Sequence, residues 1–157
     1  LIPIYCDFIY PGTTVKMNTS KVVRMQTMLT PIMDNIYLDE NWWFVPMRLT
    51  WNHTKEFFGE NTSSAWVPQT EYQIPSISAP TGGFATGTLA DYFGLPVGVE
   101  WNNSAERRPM ALPFRAYALI CNEFWRSENL TDPLNIPLGD SNQTGTNGSN
   151  YINDQRT

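Results

Sequence analysis

Between residues 60 and 110 the chain carries Pro68, Pro75, Pro80, Pro96 and Pro109 among Gly82, Gly83, Gly87, Gly94 and Gly98. This spacing limits the fold more than any other feature. Proline lacks the amide donor that a helix interior or a central strand requires, and glycine raises the entropic cost of ordering either. Residues 61–110 are therefore expected to form a long ordered loop or insertion rather than regular structure. One short helix is expected within it, in "GTLADYFGLP". There Thr88 stands at the N-cap, Asp91 at the third helical position, Gly94 at the stop, and Pro96 forbids a return.

The flanking sequence predicts strands before the insertion and a helix after it. "IPIYCDFIY" at residues 2–10 has strand character and ends at the turn signal Pro11-Gly12. In "TTVKMNTS", Val15 and Met17 alternate with polar residues at period two. "SKVVRMQTMLTPIMDN" suits either a strand or a helical turn, and Pro31 closes it. A further strand is expected over Trp42–Leu49, with Pro46 at a bulge or an edge. Both faces of that strand are apolar, so it should lie between two layers. Asn52 then caps a short helix, "HTKEFF", ended by Gly59. The strongest helix is expected over 111–127, where Phe114, Tyr117, Cys121 and Phe124 recur at helical spacing with Ala118 and Trp125 beside them. Arg115, Asn122, Glu123 and Arg126 fill its polar side. Residues 128–157 read as a polar loop.

Aromatic residues make up 13% of the chain and charged residues 16%, which suits a mainly β protein with long loops. The net charge of −5 argues against a dedicated nucleic-acid binder with a basic stripe, and Arg107-Arg108 is read as a solvated loop. No apolar run approaches the roughly 20 residues of a membrane span. Cys6 and Cys121 lie in apolar contexts and are expected to be buried thiols rather than a disulfide. His53 is the one histidine and is read as a surface or capping residue. With one histidine and two isolated cysteines, neither a zinc site nor a cupin-type centre is expected. "GGFATG" lacks the Lys-Ser/Thr that a phosphate cradle needs. No catalytic residue, cofactor or metal is assigned.

The aromatics are then the main functional signal. Trp42, Trp43, Phe44, Val45, Trp51, Phe58, Tyr92, Phe93, Phe114, Tyr117, Phe124 and Trp125 are expected to pack in a core or an interface. A second reading makes the rings a sugar platform in a carbohydrate-binding jelly-roll module of a secreted protein. Seven Asn-x-Ser/Thr sequons, at Asn18, Asn52, Asn61, Asn102, Asn129, Asn142 and Asn147, keep that alternative open.

Several blocks in order resemble a known family. They are Pro31 to Leu38, Phe44-Val45-Pro46 with Arg48-Leu49 and Trp51, Phe58-Gly59-Glu60, Leu89 to Pro96, and Leu112 to Leu130, led by "LIPIYCDFIYPGTTVKM". Together they resemble the major capsid protein of the Microviridae, small icosahedral single-stranded DNA bacteriophages, and most of all its gokushovirus branch. The resemblance covers roughly two-thirds of the chain and rests on the order and spacing of the blocks.

The resemblance implies a viral β-jelly-roll subunit and no enzyme activity. Residues 1–157 would be a single incomplete domain: early strands and a short helix over 1–60, a loop-rich insertion over 61–110, a helix over 111–127, and a polar loop over 128–157 leading into a further insertion. The implied partners are other copies of the chain in an icosahedral T=1 shell, other virion or scaffolding proteins, and the packaged single-stranded DNA. The acidic balance assigns genome contact to residues beyond these or to a separate small basic protein. The implied location is the virion, assembled in the host bacterial cytoplasm.

Overall fold

The computed structural model describes residues 1–60, 71–100, 108–144 and 150–153. Pro68, Arg107 and the sequons at Asn61, Asn102 and Asn147 lie outside the described residues. The chain divides into two units, one of residues 1–6 with 44–157 and one of Asp7–Trp43.

The mainly β jelly-roll expected from the sequence is not found. Among the described residues there is no sheet, and pairing is confined to three isolated bridges: Ser76 with Met110, Ile77 with Gln143, and Phe84 with Val97. Residues 2–10 and 13–20 form no strand. The expected strand at Trp42–Leu49 is instead irregular backbone running into a 3-10 turn, Met47–Leu49. Pro46 has no amide hydrogen to donate to a ladder, and its φ of −61° leads into the turn. The Met47 carbonyl then accepts from Thr50 N at 2.9 Å and Trp51 N at 3.1 Å, which tightens the bend. Period-two alternation marks which side of a segment is apolar. It cannot supply the neighbouring strand that extended backbone needs for its hydrogen bonds.

Three α-helices follow: α1 (Thr54–Phe57), α2 (Leu89–Tyr92) and α3 (Leu112–Ile120). His53, not Asn52, occupies the N-cap of α1. Thr88 is the N-cap of α2, but its hydroxyl donates to Ala85 O. Asp91 completes the entry by accepting from Gly87 N at 2.8 Å. Gly94, at φ +79°, ends the turn in a conformation that only glycine adopts without strain. Pro113 sits in the first turn of α3, where an amide would have no partner. The helix expected over 111–127 is α-helical only to Ile120. It continues as a π turn, Cys121–Trp125, before Arg126 becomes extended.

The core lies under α3. Phe114 and Ala118 pack with Leu89 and Ala90 of α2, with Ile77 and Phe84 of the insertion, and with Tyr151 and Ile152 of a 3-10 turn at Asn150–Asn153. Phe93 closes one edge, its ring 4.5 Å from Phe114 and 6.2 Å from Tyr117. The insertion is thus part of the hydrophobic core. Gly83 is required there, because a Cβ would run into the backbone of Gly98 and Val99.

The unit Asp7–Trp43 has neither helix nor strand. A turn closes from Tyr10 O to Thr13 N at 3.2 Å. Lys21 pairs with Glu40 and lies 5.5 Å over the Trp42 ring.

Candidate functional site

An extended strap, residues 134–143, crosses the larger unit and is stitched down along its length. Asn122, in the π turn after α3, holds Leu134 from both sides: its amide nitrogen donates to Leu134 O at 2.9 Å and its oxygen accepts from Leu134 N at 2.8 Å. Leu134 and Ile136 lay their side chains against the core. Asn52 N donates to Leu138 O at 3.1 Å. Arg115, fully buried, bridges Thr50 O and Gly139 O at 3.0 Å each. Trp51, also fully buried, donates its indole hydrogen to Asp140 Oδ1 at 2.6 Å. His53 Nδ1 meets the same oxygen at 2.9 Å and its ring stacks on Tyr72 at 4.5 Å. Ser76 and Ser78 close the far end through Asn142 and Gln143.

The electrostatics follow from this burial. Desolvation lowers the Arg115 pKa, opposed by Tyr151 and Asp140. Burial pushes the Asp140 carboxyl up. The hydrogen bonds from His53 and Trp51 and the charges of His53 and Arg115 outweigh it, and hold the group below its ordinary range. Burial also raises Tyr117, whose hydroxyl donates to Leu1 O at 2.9 Å, and raises Cys121. Neither Cys6 nor Cys121 is in a disulfide; Cys6 is exposed rather than buried, and Cys121 is half-buried.

The aromatic residues singled out from the sequence fall into two groups. Trp51 and Phe114 are buried, and Val45, Phe93 and Tyr117 are half-buried. Trp42, Trp43, Phe44, Phe58, Tyr92, Phe124 and Trp125 are exposed, Phe44 to 76% and Phe124 to 60%. Phe57 links the groups within the larger unit, 5.4 Å from Trp51 and 5.3 Å from Phe58. Sequence reasoning missed Arg115 and the strap. Helical spacing puts Arg115 beside the apolar stripe of α3, yet nothing local reveals that two distant carbonyls await its guanidinium.

The arrangement clamps backbone and presents apolar surface. His53 and Asp140 form a pair, with no serine or cysteine nucleophile among the contacts described for them. Among the described residues no group of three or more His, Cys, Asp or Glu side chains could hold a metal ion. No helix there is long and apolar enough to cross a membrane.

Comparison with known proteins shows the family. Residues 1–156 match a family model described as "Capsid protein (F protein)". The chain is 40% identical over 154 residues to the capsid protein VP1 of Spiroplasma virus 4, covering 98% of this chain and 27% of that protein. It is 41% identical over 140 residues to capsid protein VP1 of Bdellovibrio phage phiMH2K, covering 89% and 25%. It is 40% identical over 145 residues to capsid protein VP1 of Chlamydia phage 1, covering 90% and 24%. The chain thus spans about a quarter of the length of these curated relatives.

Proposed function

The chain belongs to the Capsid protein (F protein) family, and from that premise we propose that it is part of the major capsid subunit of a small single-stranded DNA bacteriophage. Its work is assembly, not catalysis. Copies of the subunit associate into a closed icosahedral shell, together with other virion or scaffolding proteins, and assembly takes place in the host bacterial cytoplasm. The observation that carries this reading is exposed apolar surface. Phe44, Phe58, Phe124 and Trp125 are 76, 55, 60 and 46% exposed, beside a core that seats Trp51 and Phe114. Large apolar side chains left open in this number are available to an interaction surface. Closed symmetry then repeats each modest contact around the shell.

The clamps of the strap support the same reading. A contact surface works best when held in one geometry before association, because less ordering entropy is then lost on docking. The carbohydrate-binding alternative is set aside, since the family match runs over residues 1–156 and each relative above is a capsid protein.

Electron microscopy of the full-length gene product, expressed in a bacterium, tests the proposal. Uniform small shells or rings of subunits are expected. Phe44→Glu combined with Phe124→Glu should leave soluble subunits that no longer form them. Shells assembled normally by the double variant would remove these rings from the interface. A product that binds glycans and never associates, even with its virion partners supplied, would sink the capsid reading.

A further inference from the structure

Beyond the π turn that follows α3, the loop of residues 126–133 is fastened to itself and to its own base. Arg126 Nη1 donates to Thr131 O at 3.0 Å, and the Leu130 and Thr131 amides donate to Ser127 O at 3.1 and 3.0 Å. The Asn122 side chain, bonded to both backbone groups of Leu134, ties the base. A loop closed in this way holds its side chains in one geometry, and it leaves the apolar ones open. Leu130 is 87% exposed, and Phe124 and Trp125, just before the loop, are 60 and 46% exposed. Glu123, Glu128 and Asp132 are exposed in the same short stretch and make no ion pair among the described residues. This surface is therefore fixed, aromatic and acidic.

The segment Thr13–Met33 has the opposite character in each respect. It carries Lys16, Lys21 and Arg24 and no Asp or Glu. Lys21 pairs with Glu40, whereas Lys16 and Arg24 make no ion pair among the described residues. Four of the chain's six methionines, Met17, Met25, Met28 and Met33, stand here, and all four are exposed. From Thr14 to Met33 the backbone makes no hydrogen bond among the described residues.

We propose that the arm Thr13–Met33 of one copy docks on the 126–133 loop of a second copy, an inference that rests on the capsid reading. The chemistry of the two surfaces matches. Methionine side chains are unbranched and polarisable, so they settle on irregular surfaces and make favourable sulfur–ring contacts with residues such as Phe124 and Trp125. Lys16 and Arg24 face the carboxylates of Glu123, Glu128 and Asp132. Such charge pairing sets register and speeds encounter more than it adds affinity. An arm with no backbone hydrogen bonds of its own adapts its shape to a partner, while the fastened loop loses little ordering entropy on contact. The contact joins two different patches. Each copy then offers one arm and one loop, and repetition carries the contact from copy to copy around a closed ring.

Photo-cross-linking of the full-length gene product tests this, with p-benzoylphenylalanine in place of the exposed Leu130. Ordinary and heavy-isotope subunits are mixed before assembly, irradiated and digested, and the joined peptides are read by mass spectrometry. Peptides from residues 13–33 joined across the two labels are expected. Lys16→Glu with Arg24→Glu should cut their yield at least about fivefold, and adding Glu128→Lys with Asp132→Lys should recover most of it. Associated subunits whose cross-links go to other residues, to another protein, or only to peptides of the same label would overturn the inference and leave the capsid reading standing. An unchanged yield in the charge-reversed arm would overturn it as well. Subunits that never associate, even with virion partners supplied, would sink both. Should a charge variant fail to fold, the cross-link map of the protein altered at residue 130 alone decides the matter.

Discussion

The unit Asp7–Trp43 and the unit of residues 1–6 with 44–157 are both rich in large apolar side chains, yet they treat them oppositely. In the larger unit Trp51, Ile77, Phe84, Leu89 and Phe114 are at most 2% exposed. In Asp7–Trp43, Val22 and Met33 are each 95% exposed, and Trp42 and Trp43 are 48 and 42% exposed. The chemistry of the side chains does not explain the difference, because tryptophans stand on both sides of it. What differs is the availability of something to pack against. The larger unit has a helix with a wide apolar face, a strap to cover it and an insertion to complete it. The smaller one has a tight turn and an ion pair. Burial is a property of pairs of surfaces, and a segment with one apolar side and no second layer stays exposed however hydrophobic it is.

That comparison can be broken most directly at its centre. Phe114→Ala should cost the unassembled full-length subunit about 3–5 kcal/mol in a urea melt. Phe44→Ala, a truncation of the same ring, should change it by no more than about 0.5 kcal/mol. Equal costs for the two would erase the distinction.

Arg115→Met sharpens it next. The substitution keeps the volume and leaves the carbonyls of Thr50 and Gly139 without their donor, at about 1–3 kcal/mol for the buried Thr50 oxygen and less for the exposed Gly139. Hydrogen exchange should quicken at Asn52, Ser78 and Gln143, whose amides are bonded along the strap. Unchanged protection would mean that the strap does not depend on its guanidinium.

Trp43→Ala carries a smaller expected effect on folding and a larger one on association. Unfolding of the unassembled subunit should move by about 0.5 kcal/mol or less, while shell yield measured by sedimentation falls. A melt shifted by several kilocalories would show that the full-length subunit already buries this ring.

The smallest effect is a dependence on acid. The Asp140 carboxyl is held below its ordinary range, so its contribution to stability is present above that range and is lost as pH falls through the lowered value. The advantage of the parent over Asp140→Asn, read from melting temperatures across an acid series, should shrink as pH falls. A gap that widens on acidification would reverse the assigned sign.

Local chemistry made much of the larger unit legible. Thr88, Asp91 and Gly94 bracket α2, Gly59 follows α1, and Pro113 opens α3, because caps and stops act within a single turn of backbone. The expected strands failed for the complementary reason. Alternation in "TTVKMNTS" and the rings of Trp42–Leu49 describe one side of a pairing whose other side is not local. The same gap hid Arg115: its spacing on α3 predicts a polar position, and the carbonyls that hold it come from Thr50 and Gly139, far off along the chain.

By itself, then, the sequence determined the family, through the order and spacing of its blocks, and placed α2 between Thr88 and Gly94 and the start of α3 at Pro113, through short-range prolines and glycines, while the N-cap of α1 and the end of α3 fell elsewhere. The tertiary structure alone decided that no sheet forms among the described residues, that a charged arginine lies fully buried while Phe44 lies in the open, and that the strap is clamped by Asn122, Trp51 and Arg115. Those outcomes depend on which distant groups come within hydrogen-bonding or packing distance, and no local pattern of residues encodes that.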